Sequence, residues 1–167
     1  MPDLKPFIAA VEDFPRAGIL FRDISPLLRN HFSATLKAMD GLLAEEEWGA
    51  IDAVAGIESR GFILGAALAA CRGKGFVLVR KQGKLPPPVV DMAYALEYGS
   101  GVLEMQRGQG RVLLVDDVLA TGGTMTGSAE LCLRAGYEVG ALAALIDLHL
   151  VSAYDWRGLG VRAAVHF

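Results

Sequence analysis

The chain has 167 residues, of which 53% are hydrophobic and 21% charged, and its formal net charge is −3. This composition fits one globular domain (1–167) with a core large enough to stand without staples, and it excludes a disordered chain, a fibrous repeat and the broad basic footprint of a nucleic-acid binder. Cys71 and Cys132 are too few for a disulfide framework and fall in apolar helical patterns, so they read as buried, reduced thiols.

The leading stretch MPDLKPFIAAVEDFP lacks the apolar centre of a signal peptide. Apolar runs elsewhere fall short of the ~20 residues that span a bilayer. A cytoplasmic protein with no membrane partner is therefore expected. From Ser33 to Glu47, Leu36, Met39, Leu42 and Leu43 recur at helical spacing, which predicts an amphipathic helix ending before Trp48 and Gly49. The acids Glu45 to Glu47 at its end read as a solvated face. DAVAGI (52–57) predicts a buried strand, ESRG a turn, and FILGAALAACR a helix of small residues. FVLVR (76–80) predicts a second strand. A polar, proline-rich stretch follows from Lys81 to Gly101, too long for a plain loop, and the alternation in AYALEY and VLEM suggests a hairpin arm that could act as a lid.

VLLV (112–115) has the branching and unbroken apolarity of a strand covered on both faces. It runs into Asp116 and Asp117, then into Thr121-Gly122-Gly123-Thr124 and a helix, TMTGSAELCLRA. Open α/β sheets hold ligands at such strand ends. Glycines there admit a ligand close to the backbone, and the amide groups opening the helix favour an anion. The loop matches neither the Walker A pattern nor the dinucleotide Gly-x-Gly-x-x-Gly pattern. VGALAALIDL (139–148) completes an alternation of strands and helices, which predicts an α/β, doubly wound, mostly parallel sheet flanked by helices. His31, His149 and His166 have no partners at ligand or triad spacing and read as structural.

The segment 112–124 resembles the phosphoribosyl pyrophosphate (PRPP) motif of type I phosphoribosyltransferases. DFPRAGILFRDISPLL, AGIESRGFILG, VRKQGKLP and YALEYGSGVLEM further resemble, in order and spacing, the adenine-specific branch of that family, over a span from about Asp13 to about Asp147. The resemblance implies transfer of the 5-phosphoribosyl group from PRPP to adenine, giving AMP and pyrophosphate in purine salvage. It implies a small N-terminal hood (about 1–32) and a flap (about 81–105). Asp116 and Asp117 would hold the ribose hydroxyls, and Ala120, Thr121, Gly122, Gly123 and Thr124 the 5-phosphate. Ser59, Arg60, Lys81 and Lys84 would bind pyrophosphate, with a cis peptide at Glu58-Ser59 and with Arg80 reaching across a homodimer interface. Leu20, Phe21 and Arg22 would form the adenine pocket. Glu97, with Tyr98 closing over the site, would manage the base's proton, and Glu104 is the second choice. Mg2+ would arrive on PRPP, with Asp116 and Asp117 contacting it through water.

Two departures from the pattern stand out. Pro86-Pro87-Pro88 replaces a proline-glycine turn, which is expected to stiffen the flap base, and the tail from Ala153 to Phe167 matches weakly. The nearest alternatives are the same fold acting on xanthine or hypoxanthine, and a PRPP-sensing DNA-binding regulator. Against the latter, the fifty or so residues before the first strand are not basic and already hold the hood.

Overall fold

The computed structural model describes residues 3–96 and 99–167. A seven-stranded sheet forms the centre. Its order is β5 (Val89–Leu96), β6 (Gly99–Gln106), β4 (Gly75–Lys81), β3 (Ala53–Ile57), β7 (Arg111–Leu119), β8 (Glu138–Asp147) and β9 (Val161–His166). Strands β4, β3, β7, β8 and β9 run parallel, while β5 and β6 form an antiparallel hairpin that joins β4 through β6. A separate antiparallel pair, β1 (Ala9–Val11) and β2 (Phe21–Asp23), lies near the N-terminus.

Strand periodicity divides the core. Leu113 and Val115 of β7, with Ala141 and Ala143 of β8, face one layer that contains Leu64 and Leu68 of α4 (Arg60–Arg72), Met39 of α2 (Phe32–Asp40) and Trp48. Val112 and Leu114, with Leu142 and Ala144, face the other layer, which contains Met125, Ala129, Leu131 and Cys132 of α5 (Gly123–Ala135). A sheet covered on both faces explains why its strands read as unbroken apolar runs. Glycines in the left-handed region, Gly73 (φ 62°) and Gly136 (φ 103°), end α4 and α5. Among the described residues no helix is long and apolar enough to cross a membrane.

Several expectations need correction. The single helix expected over 33–47 is two helices, α2 and α3 (Glu45–Gly49), separated at Gly41, following a short α1 (Ser25–Asn30). The second helix opens where the Glu47 carboxylate accepts the Ala44 N–H at 2.9 Å. Trp48 then sits inside it, 2% exposed, its indole N–H donating to the Asp40 carbonyl at 3.0 Å. Nor are the acids merely solvated. Glu45 pairs with Arg72 at 2.7 Å and Glu47 with Arg162 at 2.6 Å. Cys71 is exposed, on the outer side of α4; only Cys132 is buried, and burial pushes its thiol up to about 12. The hairpin arm expected in the proline-rich stretch is present, as a turn followed by the β5–β6 hairpin, whereas β9 and the β1–β2 pair had no counterpart among the expected elements.

The Glu47–Arg162 pair links α3 to β9 and has a pH signature. The Arg162 guanidinium, helped by the Ala44 N–H, holds Glu47 down to about 2 from its ordinary 4.5. A depressed carboxylate adds stability that is present above the unfolded value and lost as pH falls through the folded one. Arg162→Ala is therefore expected to melt below the wild type at neutral pH, with the gap closing between about 4.5 and 2. Thermal melts across that range check it; a gap that ignores pH would assign the loss to packing instead.

Candidate active site

Asp116 and Asp117 lie within β7, flanked by β3 and β8, and are only 8% and 7% exposed. The strand thus carries the acids inside the sheet rather than just beyond it. The Asp117 N–H donates to Asp116 Oδ1 at 2.9 Å, and Arg60 Nη2 approaches Asp117 Oδ2 at 2.9 Å as an ion pair. That contact lacks hydrogen-bond alignment, so buried Oδ2 has no hydrogen-bond partner among the described residues. Burial and the adjacent Asp117 charge push Asp116 well above the usual carboxylate range. Asp117 is also raised by burial, but Arg60 opposes the shift.

Beyond the acids the chain turns sharply. Gly122 adopts φ 86° at the N-cap of α5, and no side chain caps the helix. Residues 118–125 line a small hollow of about 60 Å³ facing those backbone groups. The Tyr154 ring covers the turn; a Cβ on Gly122 would lie 2.6 Å from it. Its hydroxyl is hydrogen-bonded to that of Thr126 at 2.9 Å.

A second loop faces the acids from α4. The Glu58-Ser59 peptide is cis, and Ser59 leaves the start of α4 without a side-chain cap. Arg60, on the first turn, also lies over the Phe21 ring at 5.0 Å. A larger cavity of about 580 Å³ opens here, lined by Leu20, Phe21, Arg22, Arg60, Leu148 and Phe167 among others. Arg22 stacks over Phe167 at 3.9 Å and Phe14 packs edge-on against Phe21 at 5.1 Å. Val118 and Ala120 line both this cavity and the small hollow, so the two adjoin.

Arg80 and Lys81 are the last two residues of β4, and Lys84 lies in the turn that follows. Arg80 Nε pairs with Glu58 at 3.1 Å and its Nη1 donates to the Lys84 carbonyl, so Glu58 engages Arg80 rather than Arg60. Lys81 and Lys84 are exposed, and no ion pair holds either ammonium group among the described residues. Glu104 is 3% exposed and is used up structurally. Its carboxylate accepts the N–H groups of Gly83, Lys84 and Leu85 at 3.0, 2.6 and 2.6 Å, closing the turn that carries Lys84. Burial would raise its pKa, but these donors and Arg80 hold it lower. It is therefore not the second acid/base choice that its sequence position suggests. Glu97 and Tyr98 lie outside the described residues.

Residues that the sequence reading did not single out also reach the site. Tyr94 of β5 packs on α5, where a Cβ at Gly127 would meet its Cβ at 2.5 Å. Burial, then the charges of Asp116 and Glu58, push its phenol up, which places it in the field of the acids. Tyr154, Leu148 and Phe167 come from the weakly patterned tail and adjoining strand end, where only their apolar or aromatic character was a signal.

Residues 33–157 match the family model described as the phosphoribosyl transferase domain. An adenine phosphoribosyltransferase of Hydrogenovibrio crunogenus is 50% identical, covering 98% of this chain and 96% of that one. The crystal structure of adenine phosphoribosyltransferase from Rhodothermus marinus is 41% identical, with a TM-score of 0.84 and coverage of 98% and 96%. The enzyme from Saccharomyces cerevisiae, solved with adenine and an imino-altritol bisphosphate, is 34% identical, with a TM-score of 0.85 and coverage of 96% of each chain. With its buried acid pair, glycine turn and adjoining cavity, the chain belongs to the type I phosphoribosyltransferase family, among the adenine phosphoribosyltransferases.

Proposed function

We propose that the site transfers the 5-phosphoribosyl group of PRPP to adenine, forming AMP and pyrophosphate in purine salvage. The observation that carries this reading is the shared wall of Val118 and Ala120. It sets a base-sized cavity beside a phosphate-sized hollow, and the two acids that would hold a sugar directly precede that wall on β7, Asp117 being paired with the cavity-lining Arg60. In the reaction the bond from ribose C1 to pyrophosphate breaks and a bond from C1 to a ring nitrogen of adenine forms, and that nitrogen gives up its proton. Charge develops on C1 and on the leaving group, so positioning and electrostatics supply most of the catalysis.

Asp116 and Asp117 accept the ribose hydroxyls; the unsatisfied Asp117 Oδ2 supports this. Ala120, Thr121, Gly122, Gly123 and Thr124 bind the 5-phosphate at the opening of α5. Ser59, Arg60, Lys81 and Lys84 face the pyrophosphate, and the ammonium groups of the two lysines, which no ion pair holds among the described residues, suit a polyanion. Phe21 stacks on adenine while the backbone of Leu20 and Arg22 reads its edge. Glu97 handles the base's proton and Tyr98 closes over it from a flap of about 81–105; residues 1–32 form the hood of one domain. Mg2+, a hard ion suited to buried carboxylates and phosphate oxygens, would be held by PRPP and through water by Asp116 and Asp117, neutralising the leaving group. The working form is a cytoplasmic homodimer in which Arg80 acts across the interface.

Initial rates with PRPP and Mg2+ test this. Adenine is expected to be preferred over hypoxanthine, xanthine and guanine by at least about a hundredfold in kcat/KM, because a site that reads a hydrogen-bonding edge rejects the wrong one. Comparable rates with a 6-oxopurine would move the assignment to another base. PRPP binding without base-dependent pyrophosphate release, together with salt-sensitive DNA binding, would favour a regulator.

A further inference from the structure

We propose that Asp147, His149 and His166 form a binding site for a first-row transition-metal dication of the zinc class at the outer rim of the large cavity. The backbone brings the three together. Asp147 and His166 are register partners on the parallel strands β8 and β9, although nineteen positions separate them in sequence. His149 lies two residues past Asp147 in the left-handed region, at φ 49°, a conformation uncommon outside glycine and held here by its N–H donating to Asp147 Oδ1 at 2.8 Å. That bond fixes the carboxylate and leaves Oδ2 facing both rings.

The distances fit a small dication. His149 Nδ1 lies 3.4 Å and His166 Nδ1 3.8 Å from Asp147 Oδ2, and the three ligand atoms fall within 4.8 Å of one another. Zinc bonded to nitrogen and oxygen at ~2.0–2.2 Å in tetrahedral geometry sets its ligands roughly 3.3 Å apart, so the carboxylate contacts nearly fit already and the two imidazole nitrogens must draw together by up to about 1.5 Å. The imidazoles now stack, with centroids 5.0 Å apart and planes 18° from parallel. Both side chains are more than half exposed, so rotation about their terminal torsions aims both nitrogens at one point without moving the backbone. Two imidazoles and one carboxylate select zinc, nickel or copper over magnesium, which prefers an all-oxygen shell. Water would complete the coordination.

The placement gives the ion a consequence. Leu148 lies between two of the ligands, Leu150 follows His149, and Phe167 follows His166; all three residues line the cavity. The metal would tie the end of β8 to the last strand and fix that rim.

The test uses the full chain, free of PRPP and in excess Mg2+, dialysed against ZnCl2 and assayed for bound metal. Wild type is expected to retain one zinc per chain. His149→Gln and His166→Gln should each weaken binding by at least tenfold, and the double variant should abolish it, while Cys71→Ser, which removes the exposed thiol, leaves it intact. Zinc should raise the melting temperature of wild type and not of the double variant, whose melt without metal matches wild type because both rings are exposed. Failure of wild type to hold stoichiometric zinc, undiminished zinc in the double variant, or loss with Cys71→Ser alone would each overturn the proposal.

Discussion

Asp116→Asn is expected to lower phosphoribosyl transfer by about 10²–10³-fold while raising the melting temperature of the free protein near neutral pH. The activity loss follows from charge-assisted hydrogen bonds, which contribute about 1.5–3 kcal/mol each; weakening a carboxylate's hold on the sugar diol by ~3–4 kcal/mol gives that factor. The stability gain has a different source. Burial and the charge of Asp117 raise Asp116 above the 3.8 of a free aspartate. Between the unfolded and the folded value the native state binds more protons than the unfolded chain, so stability falls as pH rises through that window. Asparagine removes this fall, and its side-chain oxygen can still accept the Asp117 N–H that Asp116 accepts at 2.9 Å. The gain should therefore be absent near pH 3 to 4 and full above the raised pKa, at roughly 2–4 °C for each kcal/mol recovered in a chain of this size. Melts of both proteins across pH, with kcat/KM measured in parallel, check the two arms. Full activity in the variant would remove the carboxylate from the sugar site, and a gain independent of pH would remove ionisation as its cause.

This opposition of activity and stability also explains why the acid pair was legible in sequence. Four apolar β-formers leading into two carboxylates violate the usual pattern of a doubly covered strand, and such violations concentrate at functional sites. β3, β7, α4 and α5 were readable because burial on both faces leaves unbroken apolar runs and small-residue helices. β9 was not. Its Arg162 and His166 interrupt the pattern because it is an edge strand, and Arg162 is there to meet Glu47 on α3, 115 positions away. The break at Gly41 was hidden for a related reason: local periodicity favours one long helix, whereas Trp48 must turn inward to be buried. Glu104 looked like a flap residue free to act because sequence does not reveal that the 83–85 turn folds back onto its carboxylate. His149 and His166 looked isolated because their meeting depends on the β8–β9 register. What sequence held was the order of chemistry along one strand and loop. What it did not single out were Tyr94, Tyr154 and Phe167, which other elements bring to the site.

Gly61→Ala should cause the larger structural loss. A Cβ there would lie 2.8 Å from the Val115 carbonyl oxygen, 3.2 Å from Asp116 Oδ1 and 3.3 Å from the Asp116 Cα. Two of these neighbours are backbone atoms of a central strand, so relief must come from moving the first turn of α4. Alanine would favour a helix by about 0.8–1 kcal/mol over glycine, whereas overpacking against fixed atoms costs about 1–3 kcal/mol, so the clash is expected to win. The displaced turn carries Arg60, which now sits 2.9 Å from Asp117 and 5.0 Å from the centre of the Phe21 ring. Activity should consequently fall further than stability, with a raised KM for PRPP, because the loop facing the acids is misplaced even in molecules that remain folded. Gly49→Ala is the matched control. Gly49 also lies in a helix, as the last residue of α3, but a Cβ there meets nothing within 4 Å, so the same change should leave melting and turnover unaltered or slightly improved. If Gly61→Ala melted with Gly49→Ala and kept its KM, the close approach of α4 to β7 would not be what sets Arg60 against the acids.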